Sequence, residues 1–276
     1  MNASTSTVAG VWAHYDDDLL FATPTIDRAI HDGYRVRNLF LTASDAGKGM
    51  SSYVSDRETG IRAAYDVMRG SSTAWADRTT VLPNGVAVTT TSPEDDPRIS
   101  LSFLRLPDGG LTGGGWFPTG YQTIPKLLGG QIPVLKTLDT GEEFTPARLV
   151  ATIAAFVADA GATAVFANLP DFAPESAGDH PDHGCAGRLV AAAVDAGLID
   201  RTIVRFAVGY PSSALPINLD ADAVARKVAV FAAYGEHDDV MSRSPEDYLA
   251  LSGFGDWLRR EHLIDARVVA RPDTRP

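Results

Sequence analysis

Two short segments hold residue types that can do chemistry. The first reads Ala13-His14-Tyr15-Asp16-Asp17-Asp18, the second Asp179-His180-Pro181-Asp182-His183. Three carboxylates in a row repel one another in a crevice, and at least one must take up a proton unless a cation sits among them. His180 and His183 are three residues apart, a spacing that can put both imidazoles on one side of a helix entrance. Two imidazoles and a carboxylate form the donor set of catalytic zinc sites, in which one position stays open for water. Zinc brings the pKa of water down to roughly 7. A further carboxylate would then serve as general base, and a spare histidine would donate to an oxyanion. Capping competes with this reading for each segment alone. Acids such as Asp16 to Asp18 gain roughly 0.3–1 kcal/mol at a helix N-terminus, and His180 with Asp182 could cap a helix opened by Pro181. Two such clusters at two strand ends of one sheet are hard to explain by capping. Cys185 is read as a small core residue.

The elements around these segments set where they sit. Val8 to Ala13 is a short apolar run with the look of a buried parallel strand. Asp18 to Gly33 follows with helical spacing, Val36 to Thr42 reads as a second strand, and Ser55 to Met68 as a helix ended by Gly70. Short strands are expected at Arg78–Leu82, Val86–Thr90 and Ser100–Arg105. Gly109 to Pro133 is rich in Gly and Pro yet carries Trp116, Phe117, Tyr121, Leu127 and Leu128, which suits a lid or binding loop. The rhythm resumes with a helix at Pro146–Ala160, a buried strand at Ala164–Asn168, a helix at Pro181–Ala196, a strand at Thr202–Val208 and a helix at Asp220–Tyr234. This order implies a Rossmann-like, doubly wound α/β fold with a mostly parallel sheet, one domain over 1–276 and a loop-rich insertion at about 106–138. Ligands in such sheets bind where strands end and helices begin, which is where both segments fall.

With 35 acidic against 24 basic side chains the chain carries a formal charge of -11, which repels phosphate backbones and argues against nucleic acid as a partner. The lone Cys185 forbids an internal disulfide and suits a reducing compartment. Met1 to Val8 lacks the look of a signal peptide, and no apolar run approaches the roughly 18 residues of a membrane span. A cytoplasmic protein is therefore expected. The tail from Arg267, with Arg271 and Arg275, is expected to fray.

At its two chemical segments the chain resembles the PIG-L/LmbE-type de-N-acetylases, the family of N-acetylglucosaminylphosphatidylinositol de-N-acetylase. Its motifs are Ala-His-Pro-Asp-Asp-Glu and His-Pro-Asp-His. Arg57-Glu58 with Ala63, Ala64 and Gly70 looks like the family's second helix, Leu106-Pro107-Asp108-Gly109 like its central loop, and Lys227 like a lysine of a late helix. The resemblance implies that His14, Asp17 and His183 bind Zn²⁺, a site that other divalent metals also suit. It implies that Asp16 is the base that activates water and then protonates the leaving amine. A protonated His180 would stabilise the oxyanion, and Asp182 would orient an imidazole, that of His180. Tyr15 and Asp18 replace the family's proline and glutamate, neither of them a metal ligand.

The expected reaction removes an acyl group from an N-acylated amino sugar on a small-molecule carrier. The Tyr15 and Asp18 variants and the aromatic loop look most like the deacetylases of teicoplanin-type glycopeptide antibiotics. Tyr15 and Trp116 are expected to touch substrate, and Asp108 to accept from sugar hydroxyls. The loop could instead pack on its own domain, contact a second copy in a homo-oligomer, or lie on a membrane, against which its single basic residue, Lys126, argues. A nucleotide-sugar glycosyltransferase using Asp16 to Asp18 as a metal–diphosphate clamp would have no use for the histidine pair. A non-catalytic sugar-binding module would need neither Asp16 nor His180.

Overall fold

The computed structural model describes residues 6–241 and 244–269. The strands are β1 (Thr7–Trp12), β2 (Arg35–Thr42), β3 (Trp75–Val81), β4 (Ala87–Pro93), β5 (Ile99–Leu106), β6 (Leu135–Lys136), β7 (Glu143–Phe144), β8 (Ala164–Asn168), β9 (Val204–Ala207) and β10 (Leu263–Asp265). The helices are α1 (Asp17–Phe21), α2 (Thr25–His31), α3 (Ser52–Arg69), α4 (Ile124–Leu128), α5 (Pro146–Ala160), α6 (Pro181–Asp195), α7 (Ala221–Gly235), α8 (Pro245–Tyr248) and α9 (Phe254–Trp257). Eight strands form one sheet in the order β10-β9-β8-β1-β2-β5-β4-β3. The strands β9, β8, β1, β2 and β5 run parallel, and β10, β4 and β3 pair antiparallel at the edges.

The order turns on β1. From it the chain builds outward through β2 to β5, then returns to lay β8 against its other side. The crevice at the carboxyl ends of β1 and β8 is therefore the switch point where such sheets bind ligands. β1 is buried on both faces, and its alternation sorts residues between two cores. Ala9 and Val11 join Leu149, Ile153, Leu189 and Val190 beneath α5 and α6. Val8 and Trp12 join Ile61, Met68, Val228 and Phe231 beneath α3 and α7.

The helix expected over Asp18–Gly33 is two helices. The chain breaks at Ala22–Pro24, where Pro24 has no N–H to continue the ladder and Thr23 Oγ1 donates to Asp18 O instead. The buried Lys227 ties this break to the C-terminal segment. Its Nζ donates to Leu20 O, Trp257 O and Arg260 O at 2.6, 3.0 and 2.6 Å.

The central insertion is more ordered than its Gly and Pro content suggested. Thr123 caps α4, Ile124 and Leu127 enter the core, and Lys126 Nζ donates to Gly114 O and Tyr121 O. Trp116, Phe117 and Tyr121 stay 41%, 79% and 51% exposed. Arg267 pairs with Asp265, while Arg271 and Arg275 lie outside the described residues. Among the described residues no helix is long and apolar enough to cross a membrane.

Candidate metal centre

Because β1 and β8 are neighbours, with Val11 beside Ala167, the loops that follow them meet. His14 leaves β1, Asp17 opens α1, and His183 lies in the first turn of α6. Asn168, the last residue of β8, fixes the junction. Its Oδ1 accepts from Ala13 N at 2.9 Å and its Nδ2 donates to Asp17 Oδ2 at 3.1 Å. Asp17 Oδ2 also accepts from His14 N at 2.9 Å, which leaves Asp17 Oδ1 free to face the imidazoles. His183 Nε2 is 2.9 Å from Asp17 Oδ1 and 3.2 Å from His14 Nδ1, and His14 Nδ1 is 3.6 Å from Asp17 Oδ1. Ligands held about 2.0–2.1 Å from a tetrahedral ion stand roughly 3.3 Å from one another. The three atoms have that spacing.

The charge pattern also fits a cation. Burial disfavours a charged Asp17, yet His183 and His14 hold its carboxyl well below the usual range. Burial likewise opposes protonation of His183, yet Asp17 and Asp179 push its pKa up to about 10. Positive charge is thus strongly favoured at this point, and a proton or a metal ion can supply it. His180 also offers a nitrogen within 4.8 Å of those of His14 and His183, and Asp17 Oδ1 stands 3.6 and 2.9 Å from the nitrogens of those two rings.

The outer partners are arranged as for metal-bound imidazoles. Asp179 Oδ1 lies 2.9 Å from His183 Nδ1, and accepts from His180 N and Tyr210 N at 2.8 and 3.0 Å. It needs Gly209 beside it, because a Cβ there would come within 2.3 Å of Asp179 Oδ2. His14 Nε2 faces Asp182 Oδ2 at 3.4 Å and Asp108 Oδ2 at 3.9 Å.

Asp16 sits at the head of α1 and makes no side-chain cap bond, so capping is not what holds it. Its Oδ1 lies 3.3 Å from Arg57 Nη2. Burial raises its carboxyl pKa, and Arg57 works against that rise. Arg57 is held by Ser44 O at 2.7 Å, by Tyr234 Oη, and by Asp238 Oδ2 at 3.2 Å. The third acid of the run, Asp18, turns into the core to accept from Asn38 and Tyr65 at 2.8 and 2.6 Å. Burial pushes its pKa up to about 8, so it is the carboxyl that keeps a proton.

Three expectations need correcting. The side chain of Tyr15 lies in the core, not at the cleft. Its ring packs on Phe40 and Phe103 and its hydroxyl donates to Glu58 at 3.1 Å, so it does not reach substrate. Asp182 does not orient His180 through its carboxylate. The bond runs from Asp182 N to His180 Nδ1 at 3.2 Å, and the carboxylate turns to His14. For His180, burial, with His14 and His183 adding to it, pulls the pKa well down, which works against the expected imidazolium. With Nδ1 accepting, the neutral ring carries its proton on Nε2 and remains a donor.

These groups open into a cavity of about 360 Å³ whose walls include Asp16, Arg57, Asp108, Trp116, Tyr210 and Trp257. Trp116 lies so close over Gly47 that a Cβ would come within 2.4 Å of its indole. Also in the lining, Tyr210 stacks on Trp257, centroids 4.4 Å apart, and meets the His183 ring at 5.1 Å. Sequence reasoning missed this aromatic pair, and also missed the parts played by Arg57 and Asp179. Asp179 stood in the motif, four residues before His183 and so one helical turn away, which was the available signal.

Comparison with known proteins bears on the fold and the family. Among curated proteins none matches the chain. Of solved structures, N,N'-diacetylchitobiose deacetylase from Pyrococcus horikoshii is 12% identical with a TM-score of 0.53, covering 98% of this chain and 88% of that one. A conserved protein from Thermus thermophilus, TT1542, is 18% identical with a TM-score of 0.50, covering 98% and 99%. A deacetylase of the teicoplanin biosynthesis pathway is 14% identical with a TM-score of 0.49, covering 91% and 90%. The first two, at these identities, speak for the fold alone. The family model of the GlcNAc-PI de-N-acetylases matches residues 10–194, which include both chemical segments, and the chain belongs to that family, PIG-L.

Proposed function

We propose that the protein is a divalent-metal-dependent amidase that removes the acetyl group from an N-acetylglucosamine unit, with His14, Asp17 and His183 as metal ligands and Zn²⁺ as the ion. The observation that carries this reading is the 2.9–3.6 Å spacing of Asp17 Oδ1, His183 Nε2 and His14 Nδ1. A bound divalent cation supplies a Lewis acid that acidifies water and polarises a carbonyl. Asp16 takes the proton from the attacking water and later delivers it to the departing nitrogen, giving acetate and a free amine. Its raised pKa suits both halves of that task. Arg57 holds Asp16 in place without neutralising it alone, because Arg57 is shared with Asp238. His180 donates a hydrogen bond from its Nε2–H to the carbonyl oxygen as charge builds there. Asp182, fixed by Gly109 N at 2.7 Å, steadies His14.

For the carrier we favour a glycopeptide antibiotic or a similar secondary metabolite, handled in the cytoplasm. Trp116, Tyr210 and Trp257 in the cavity lining offer aromatic surface to a flat apolar aglycone, while Asp108 accepts from the sugar hydroxyls. A screen of N-acetylglucosaminides, one an antibiotic pseudoaglycone, tests this by mass spectrometry. Loss of one acetyl group is expected with wild type, and no loss from any member would refute the reading.

A further inference from the structure

Beside the triad, four buried groups converge on a second point. His14 Nε2 lies 3.4 Å from Asp182 Oδ2 and 3.9 Å from Asp108 Oδ2. The His180 ring completes the group, so that one donor atom from each residue lies within 4.8 Å of the others. None of the four residues is more than 7% exposed. Two buried atoms here, His14 Nε2 and Asp182 Oδ1, have no hydrogen-bond partner. Backbone presets both carboxylates, because Gly110 N donates to Asp108 Oδ1 at 2.6 Å and Gly109 N to Asp182 Oδ2 at 2.7 Å. Gly109 is required for this approach, since a Cβ would come within 2.6 Å of Asp182 Oδ1.

We propose that Asp108, His180 and Asp182, with His14 Nε2, form a second divalent-cation site that shares the His14 imidazole with the triad. Two carboxylates and two imidazole nitrogens suit Zn²⁺ and other first-row divalent ions. For His14 Nε2 to act as a ligand, its ring proton would pass to solvent. A cation here occupies Asp108 and His180, the groups our functional reading gives to substrate, and therefore inhibits turnover. Only the inhibition rests on that reading.

Calorimetric titration of the metal-free protein with ZnCl₂ tests the site, with circular dichroism to establish that each variant is folded. Wild type is expected to take up two equivalents, the second more weakly. Asp108→Asn, which keeps an oxygen for Gly110 N, should weaken the second equivalent at least about tenfold and leave the first unchanged. Asp182→Asn should weaken the second equivalent likewise, and should also loosen the first, because Asp182 steadies the His14 ring. A wild type that binds fewer than two equivalents overturns the proposal, as does a second equivalent bound equally well by both variants. His183→Ala separates the two ideas. It should abolish the first equivalent, and if it did not, the triad would be wrong while the second site stood.

Discussion

Asp179 holds three things with one oxygen: the His183 ring, the start of α6 at His180 N, and the strand-end turn at Tyr210 N. Its removal should therefore be felt at the metal before it is felt in the fold. We expect Asp179→Asn to weaken divalent-metal affinity by about tenfold or more, as loss of such an outer partner commonly does, read by competition with a chelating dye. Asp16→Asn should behave in the opposite way. It should keep its metal while turnover falls by about two orders of magnitude or more, the range for losing a general base, in an assay of acetate release. A fully active Asp16→Asn would remove Asp16 from that role. His14, Asp16 and Asp17 stand in one motif and His183 in the other, and the family resemblance is what named them together. Arg57, Asp238, Tyr210 and Trp257 were not legible, because only the folding of α3, α7, α9 and the turn after β9 onto the crevice brings them there.

At the scale of elements, periodicity identified most of the strands and helices near the bounds observed. It failed at Asp18–Gly33, where apolar spacing continues through a break that Pro24 imposes. It also could not show that α4 is anchored in the core, since Thr123, Ile124 and Leu127 sit among glycines. The staple from α7 to the end of α1 and to α9 is likewise a tertiary matter. Lys227→Met would leave three carbonyls without their shared donor, at about 1–3 kcal/mol for each group that water cannot reach. We expect a loss of about 3 kcal/mol or more in urea unfolding. An unchanged midpoint would show that the staple contributes nothing. Gly209→Ala should push Asp179 aside and reproduce the metal weakness of Asp179→Asn, with α6 intact by circular dichroism.

For the whole molecule, the doubly wound order explains why two distant motifs meet. β1 and β8 lie side by side only because the chain builds outward on one side of β1 before returning to the other. That adjacency gathers Asp16, Asp17, Asp108, Asp179 and Asp182 around one crevice, where their mutual repulsion works against the metal-free fold. A cation bound only by the folded state should stabilise it by about 2.7 kcal/mol at a hundredfold excess over its Kd. The melting temperature should accordingly rise on adding ZnCl₂ to chelator-treated protein and fall again with excess chelator. The most direct measurement is the divalent-metal content of purified protein after exhaustive dialysis, beside Asp17→Ala and His183→Ala. A metal centre at His14, Asp17 and His183 predicts about one tightly held ion per chain in wild type and none in either variant. Wild type without a bound ion, or variants that hold it as well as wild type, would contradict it.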